Sequence, residues 1–158
     1  MDNRYAPTPP TEAAKALEEL KNLPSLEDTK AQLREAIETI TTAVSKIIST
    51  GSTWSDQGNE DVAGCDKPYD QSDGQSWYAP NAIANDVAVS EDEWPKILEV
   101  TKTAAAKLGA TEPHVFQDKR GNHDVRFYGP AGLSVNVGYA GNLSVGGYTG
   151  CRLPAAKK

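Results

Sequence analysis

The residues of this chain best suited to chemistry are two cysteines, two histidines and a cluster of aspartates. Cys65 sits in Ala-Gly-Cys-Asp-Lys-Pro and Cys151 in Thr-Gly-Cys-Arg-Leu-Pro. Neither belongs to a Cys-x-x-Cys pair, and neither opens a helix where a thiolate would be stabilised. Two thiols without further His or Cys do not make a zinc site. Each follows a glycine at a boundary between loop and strand, and the even count and polar flanks favour a disulfide over two free buried thiols. Only one connectivity is possible. The loop it closes spans more than half the chain, worth on the order of 4–5 kcal/mol by chain entropy. Such a bridge points to an oxidising compartment.

Among the other candidates, His123-Asp124 beside a turn offers half of an acid–base pair. No Ser or Cys nucleophile motif accompanies it, so it reads as an exposed turn histidine. Asp66, Asp70 and Asp73 invite a calcium reading. With Gly74 at the sixth loop position, however, Tyr69 and Gln71 would occupy two ligand positions, and the segment reads as a solvated loop. The glycines at 129–132 and 146–147 suit hairpin turns and close-approach strand positions. No helix follows them to make a phosphate cradle. Ser25, Ser90 and Ser134 stand in capping or strand contexts, and Asn142-Leu-Ser144 matches a sequon too short to weigh. The chain is therefore expected to be non-catalytic, with no metal and no cofactor. The alternative is a small enzyme with a pocket between helix and sheet. The aromatic residues Trp54, Trp77 and Tyr78 are the best candidates for contact with a partner protein or a lipid-like ligand. Each ring taken singly is more simply read as a cap on the core.

Composition narrows the classes further. The net charge is -6, with a pI near 4.9 and a mean hydropathy of -0.55. No excess of Lys and Arg is present to displace counterions from a nucleic acid. No run of about 18 apolar residues is long enough to span a bilayer, and the opening residues have no signal-peptide pattern. Residues 1–10 are Pro-rich and read as a disordered leader of the kind that follows a removed signal. A monomer is expected.

The elements that must position these residues follow from periodicity. A short helix is expected over residues 11–23, ended by Pro24. Ser25 opens a second helix whose stripe is Leu26, Leu33, Ile37, Ile40, Val44 and Ile47, with Gly51 as its stop. Residues 52–80 are polar and Gly/Asp/Ser-rich yet hold four aromatic rings, and read as a long loop covering the core edge. A strand follows over 83–89. A Ser90/Glu93 capping box then starts a helix running to Leu108, with Trp94, Ile97, Leu98, Thr101, Ala105 and Leu108 as its buried stripe. Beyond Gly109 the period changes from 3.6 to 2. Val125 and Phe127 face one way, Arg126 and Tyr128 the other. Leu133, Val135, Val137 and Tyr139 alternate with Ser134, Asn136 and Gly138. Turns at 119–122, 129–132 and 141–142 make an antiparallel meander with one apolar face.

The fold class is thus α+β: an N-terminal helical hairpin, then a β-α-β-β-β-β unit whose meander sheet is covered by helices. The expected organisation is a leader (1–10), one domain (11–153) and a tail (154–158). Within the domain lie a helical part (11–51), an aromatic loop (52–80) and a strand-helix-meander part (83–153).

Five stretches carry a resemblance: Ala63-Gly-Cys-Asp-Lys67, Ala82-Ile-Ala-Asn-Asp-Val87, Ser90-Glu-Asp-Glu-Trp94, Ala105-Ala-Lys-Leu-Gly-Ala-Thr111 and Thr149-Gly150-Cys151. In their order and spacing, with Gly51 and Trp54 ahead of them, they resemble the LppA-like lipoproteins of mycobacteria and related actinobacteria. The resemblance covers most of the chain. It implies a lipidated protein exported to the cell envelope, anchored through a lipobox cysteine that this sequence does not carry, with membrane contact only through that anchor. It brings no activity and no catalytic residue. Both cysteines match family positions, which strengthens the expectation that they pair.

Overall fold

The structure, a computed structural model, describes residues 6–158. Helix α1 (Pro10–Lys21) starts on a proline, whose missing N–H costs nothing at a helix N-terminus. Pro24 lies three residues beyond its end. In α2 (Leu26–Ile47) the Ser25 hydroxyl caps the first turn by accepting from the Asp28 N–H at 3.1 Å, and Glu27 and Asp28 suit the helix dipole. The buried face of α2 is Leu26, Thr29, Leu33, Ala36, Ile40 and Val44. Ile37 and Ile47, expected inside, are only half-buried at the rim.

The reciprocal Ser90/Glu93 box forms. Ser90 N–H donates to Glu93 Oε1 at 2.9 Å, and Glu93 N–H donates to Ser90 Oγ at 3.1 Å. Helix α3 (Trp94–Ala106) follows it. The other Glu93 oxygen accepts from Ser49 N–H at 3.0 Å, joining the end of α2 to the start of α3. Helix α2 packs against α3 and the sheet, while α1 packs elsewhere, on the disulfide.

Among the described residues the sheet has eight strands: β1 (Trp54–Asp56), β2 (Asp61–Gly64), β3 (Gln75–Tyr78), β4 (Ala82–Ala84), β5 (Glu112–Lys119), β6 (Asn122–Tyr128), β7 (Ser134–Tyr139) and β8 (Leu143–Tyr148). The order is β1-β4-β8-β7-β6-β5, and the β2–β3 hairpin branches off β8 through the pair Tyr78↔Tyr148. All pairings are antiparallel. The inner face carries Val125, Phe127, Val135, Val137, Leu143 and Val145, all buried under α2 and α3. Fully burying a side chain of this size contributes roughly 1.5–3 kcal/mol. Gly147 is part of this fit: a Cβ there would lie 2.5 Å from Leu33 Cδ1, so the glycine lets α2 approach.

Three sequence expectations need correction. The segment 52–80 is not a loop but holds β1, β2 and β3. These strands run three or four residues and are held by ladder hydrogen bonds and a disulfide, so they leave no alternation to read. The strand expected over 83–89 shrinks to β4. Val87 and Val89 are still buried, because the Tyr139 hydroxyl donates to Val87 C=O at 2.8 Å and accepts from Val89 N–H at 3.2 Å. The leader is ordered where it is described: Thr8 is buried and bonds both oxygens of Asp70 through its N–H and hydroxyl. Residues 1–5 lie outside the described residues. The tail folds back as a 3-10 turn (Ala155–Lys157), with Ala155 N–H donating to Glu27 at 2.8 Å and Lys158 Nζ to Leu23 C=O at 2.7 Å.

Candidate functional site

Cys65 and Cys151 form a disulfide. It lies in a second apolar cluster with Leu20 and Leu153, flanked by Leu17, Leu23, Tyr69 and Ala131. Gly74 lies directly against both sulfurs, so a side chain there would displace them. Burial lowers the neighbouring Arg152 from its usual pKa, while its Nη1 donates to the carbonyls of Pro130 and Cys151. Tyr69 donates to Glu19 at 2.8 Å; burial first, and then that bond, push its phenol up to about 12.

The three candidate contact rings do not converge. Trp77 and Tyr78 are adjacent on β3 and therefore point to opposite faces. Trp77 is buried at 1% exposure, with Arg34 4.7 Å from its ring centre and its Nε1 donating to Glu60 at 3.0 Å. It is a core residue and presents no surface for a partner. Trp54 sits at the sheet edge and donates to Ser45 Oγ at 2.8 Å. It lines an open groove of about 390 Å³ against α2, together with Arg34, Glu38 and Asp56. Tyr78 alone is exposed on the outer face, stacked on Tyr148 with ring centres 4.2 Å apart.

His123 also departs from expectation. It is 4% exposed, not an exposed turn residue, and its ring stacks on Trp94 at 4.6 Å. Its partners are not Asp124 but Asp118, 3.1 Å from Nδ1, and Glu91, 3.1 Å from Nε2. The hydrogen bond from His123 holds the Glu91 carboxyl below its ordinary range. Carboxylates occupy both ring nitrogens, leaving neither for a substrate. Asp70 is lowered to about 2, first by the Thr8 hydroxyl and then by Gln71. Among the described residues no three His, Cys, Asp or Glu are placed to hold a metal ion. None of the described helices is long and apolar enough to cross a membrane.

The outer face of the sheet is where polar groups converge. The ladder register aligns them in rows across the strands: His114–Arg126–Asn136–Gly146 in one, Tyr128–Ser134–Tyr148–Tyr78 in the next. Gly146 shows how tightly the first row is built. Asn81 and Asn136 both reach over it, and a Cβ there would lie 3.0 Å from Asn136 Oδ1 and closer still to Asn81. Two shallow cavities of about 310 Å³ each meet at Arg126 and Asn136. Arg126 Nε is buried without an acceptor. Among the described residues the guanidinium has no carboxylate partner and lies 5.5 Å from the Phe116 ring and 6.0 Å from Tyr128. Phe116 stands at a register shift in β5 and is 45% exposed. Burial, reinforced by Tyr148, pushes the Tyr78 phenol up, and Arg126 opposes it. The alternation along β6 and β7 already placed Arg126 and Asn136 on this face. Asn81 gave no such signal, because it comes from a connection between strands.

Comparison with known proteins shows the family and the fold. The model of the LppA family, described as a lipoprotein confined to pathogenic Mycobacterium, matches residues 1–155. Among solved structures, the lipoprotein LppA from Mycobacterium tuberculosis superposes with a TM-score of 0.72 at 20% identity, covering 92% of this chain and 89% of that one. A DUF4853 family protein from Actinomyces odontolyticus superposes at 0.59 and 18% identity, covering 88% and 74%. No curated protein matches. Identities this low speak to the fold alone.

Proposed function

Since the chain belongs to the LppA family of lipoproteins, we propose that its folded part is a non-catalytic binding module displayed on the extracytoplasmic side of the cell envelope. In this reading a lipid anchor upstream of the fold holds it at the membrane. The binding surface is the outer face of the sheet, centred on Arg126 and Asn136. The disulfide supports the compartment, because such bridges persist where thiols are not kept reduced. One observation carries the surface: a buried guanidinium Nε without an acceptor, in a cavity whose other polar side chains come from four strands and from the connections that carry Asn59 and Asn81. An unmet buried donor costs about 1–3 kcal/mol, and a ligand acceptor would recover it.

The test is chemical-shift mapping of the isotope-labelled protein against soluble, lipid and polysaccharide fractions of envelope extract. Shifts clustered on the amides of β6, β7 and β8 are expected with at least one fraction. Shifts confined to the α2–α3 side, or none with any fraction, would refute the reading.

A further inference from the structure

We propose that the Arg126 cavity takes an anionic saccharide: a sugar or polyol unit bearing one carboxylate or phosphate. This rests on the reading of the outer face as the binding surface and adds the chemistry of the ligand. The guanidinium presents its N–H groups in a planar fork that matches a carboxylate or phosphate oxygen pair. Its Nε–H is buried without an acceptor, and among the described residues no acid pairs with it. Beside it, the Asn81 and Asn136 amides converge over Gly146. Each amide both donates and accepts, as a row of hydroxyls requires. The stacked Tyr78–Tyr148 pair supplies an aromatic wall with one exposed ring, suited to the C–H face of a sugar.

Electrostatics limits the charge of the ligand. The chain carries a net charge of -6, and Asp61 and Asp124 each line one of the two cavities that meet at Arg126. A densely charged polyanion would be repelled by the acids and by the molecule as a whole. One negative charge at the centre, with neutral polyol on either side, meets no such penalty.

The experiment titrates the labelled protein with methyl glucuronide, mannose 6-phosphate, neutral maltotriose and inorganic phosphate, and with phosphatidylcholine vesicles doped with phosphatidylinositol. Saturable binding of at least one anionic sugar is expected, with shifts at Arg126, Asn136 and Tyr148. Maltotriose and inorganic phosphate should bind at least tenfold more weakly. Arg126→Gln should weaken anionic-sugar binding at least tenfold, which is about 1.4 kcal/mol. Tyr78→Ala should weaken it while lowering the thermal midpoint by no more than about 6 °C, the loss of its stack on Tyr148, and Lys102→Gln on α3 should change nothing. Binding to doped vesicles but not to soluble sugars would assign the chemistry to a lipid headgroup; the converse would assign it to a free glycan. Equal binding of neutral and charged sugars, or an unchanged Arg126→Gln, would overturn the proposal. If no sugar or vesicle binds while an envelope fraction still shifts these amides, the ligand class fails and the binding surface stands. If neither moves them, both fail.

Discussion

Replacing both cysteines by alanine tests the physical basis for placing this fold in an oxidising compartment. The bridge joins residues 86 apart. For a loop of that length the chain-entropy relation gives about 4–5 kcal/mol of stabilisation at 25 °C. In a domain of this size 1 kcal/mol moves the thermal midpoint by about 2–4 °C, so the double variant should melt roughly 8–20 °C lower. That loss acts through the unfolded chain, so it should appear equally at every probe of global unfolding. The alternative is local: the sulfurs lie in the cluster under α1, separate from the main core, and their removal would then loosen α1 alone.

Urea unfolding followed by tryptophan fluorescence separates the two. Trp77 and Trp94 are buried in the main core and Trp54 packs against it, so fluorescence does not report on the disulfide cluster. Amide exchange in α1 reports on that cluster directly. The entropic account predicts that the fluorescence-detected stability falls by most of the 4–5 kcal/mol, with α1 protection falling in parallel. A fluorescence change below about 1 kcal/mol, accompanied by lost α1 protection, would refute it.

Four further outcomes follow from the packing and the titrating groups. Leu33→Ala, which empties a fully buried site against Gly147, should cost about 2–5 kcal/mol in urea unfolding. Ser25→Ala should cost about 1 kcal/mol by the same measurement, because it removes the acceptor for Asp28 N–H. The Thr8–Asp70 link is favoured by a carboxyl whose folded pKa, about 2, lies below its ordinary 3.8. Its contribution should be whole above pH 4 and be lost as pH falls through 2, seen as loss of Thr8 amide protection in that window and not above it. The Tyr69 phenol, raised to about 12 in the fold, should contribute fully below pH 10 and lose that contribution as pH rises through 12. Ultraviolet difference titration should show Tyr69 ionising late, near 12, and Tyr69→Phe should remove that step while leaving the Tyr78 phenol, which is also pushed up.

The helices and the meander were legible because each obeys one period over a long run. In α2 it persists for 22 residues, and in β6 the alternation Val125, Arg126, Phe127, Tyr128 is unbroken. Segment 52–80 defeated the same method for a physical reason. Strands of three or four residues give a period-2 pattern no room, and β2 is exposed along its whole length. What holds it is tertiary: the ladder to β3, the Tyr78↔Tyr148 pair and the link at Cys65. His123 failed for a related reason. Its neighbour in sequence is Asp124, but the strand carries them to opposite faces, and its real partners arrive from the β5–β6 hairpin and from the segment ahead of α3.

The candidate site was half legible, and the Gly146-Gly147 pair shows where the reading stopped. The sequence marks both as positions of close approach but does not say what approaches. In the fold the two glycines do opposite work on adjacent residues of β8. Gly147 opens the inner face so that Leu33 of α2 can seat, and Gly146 opens the outer face so that Asn81 and Asn136 can meet. A substitution at Gly147 therefore strikes the core, and one at Gly146 strikes the outer cavity. That separation lets the stability of this module and its binding be perturbed one residue apart. If the outer face had no role, Gly146→Ala would do no more than push two half-exposed amides aside, and nothing the protein binds would register the change.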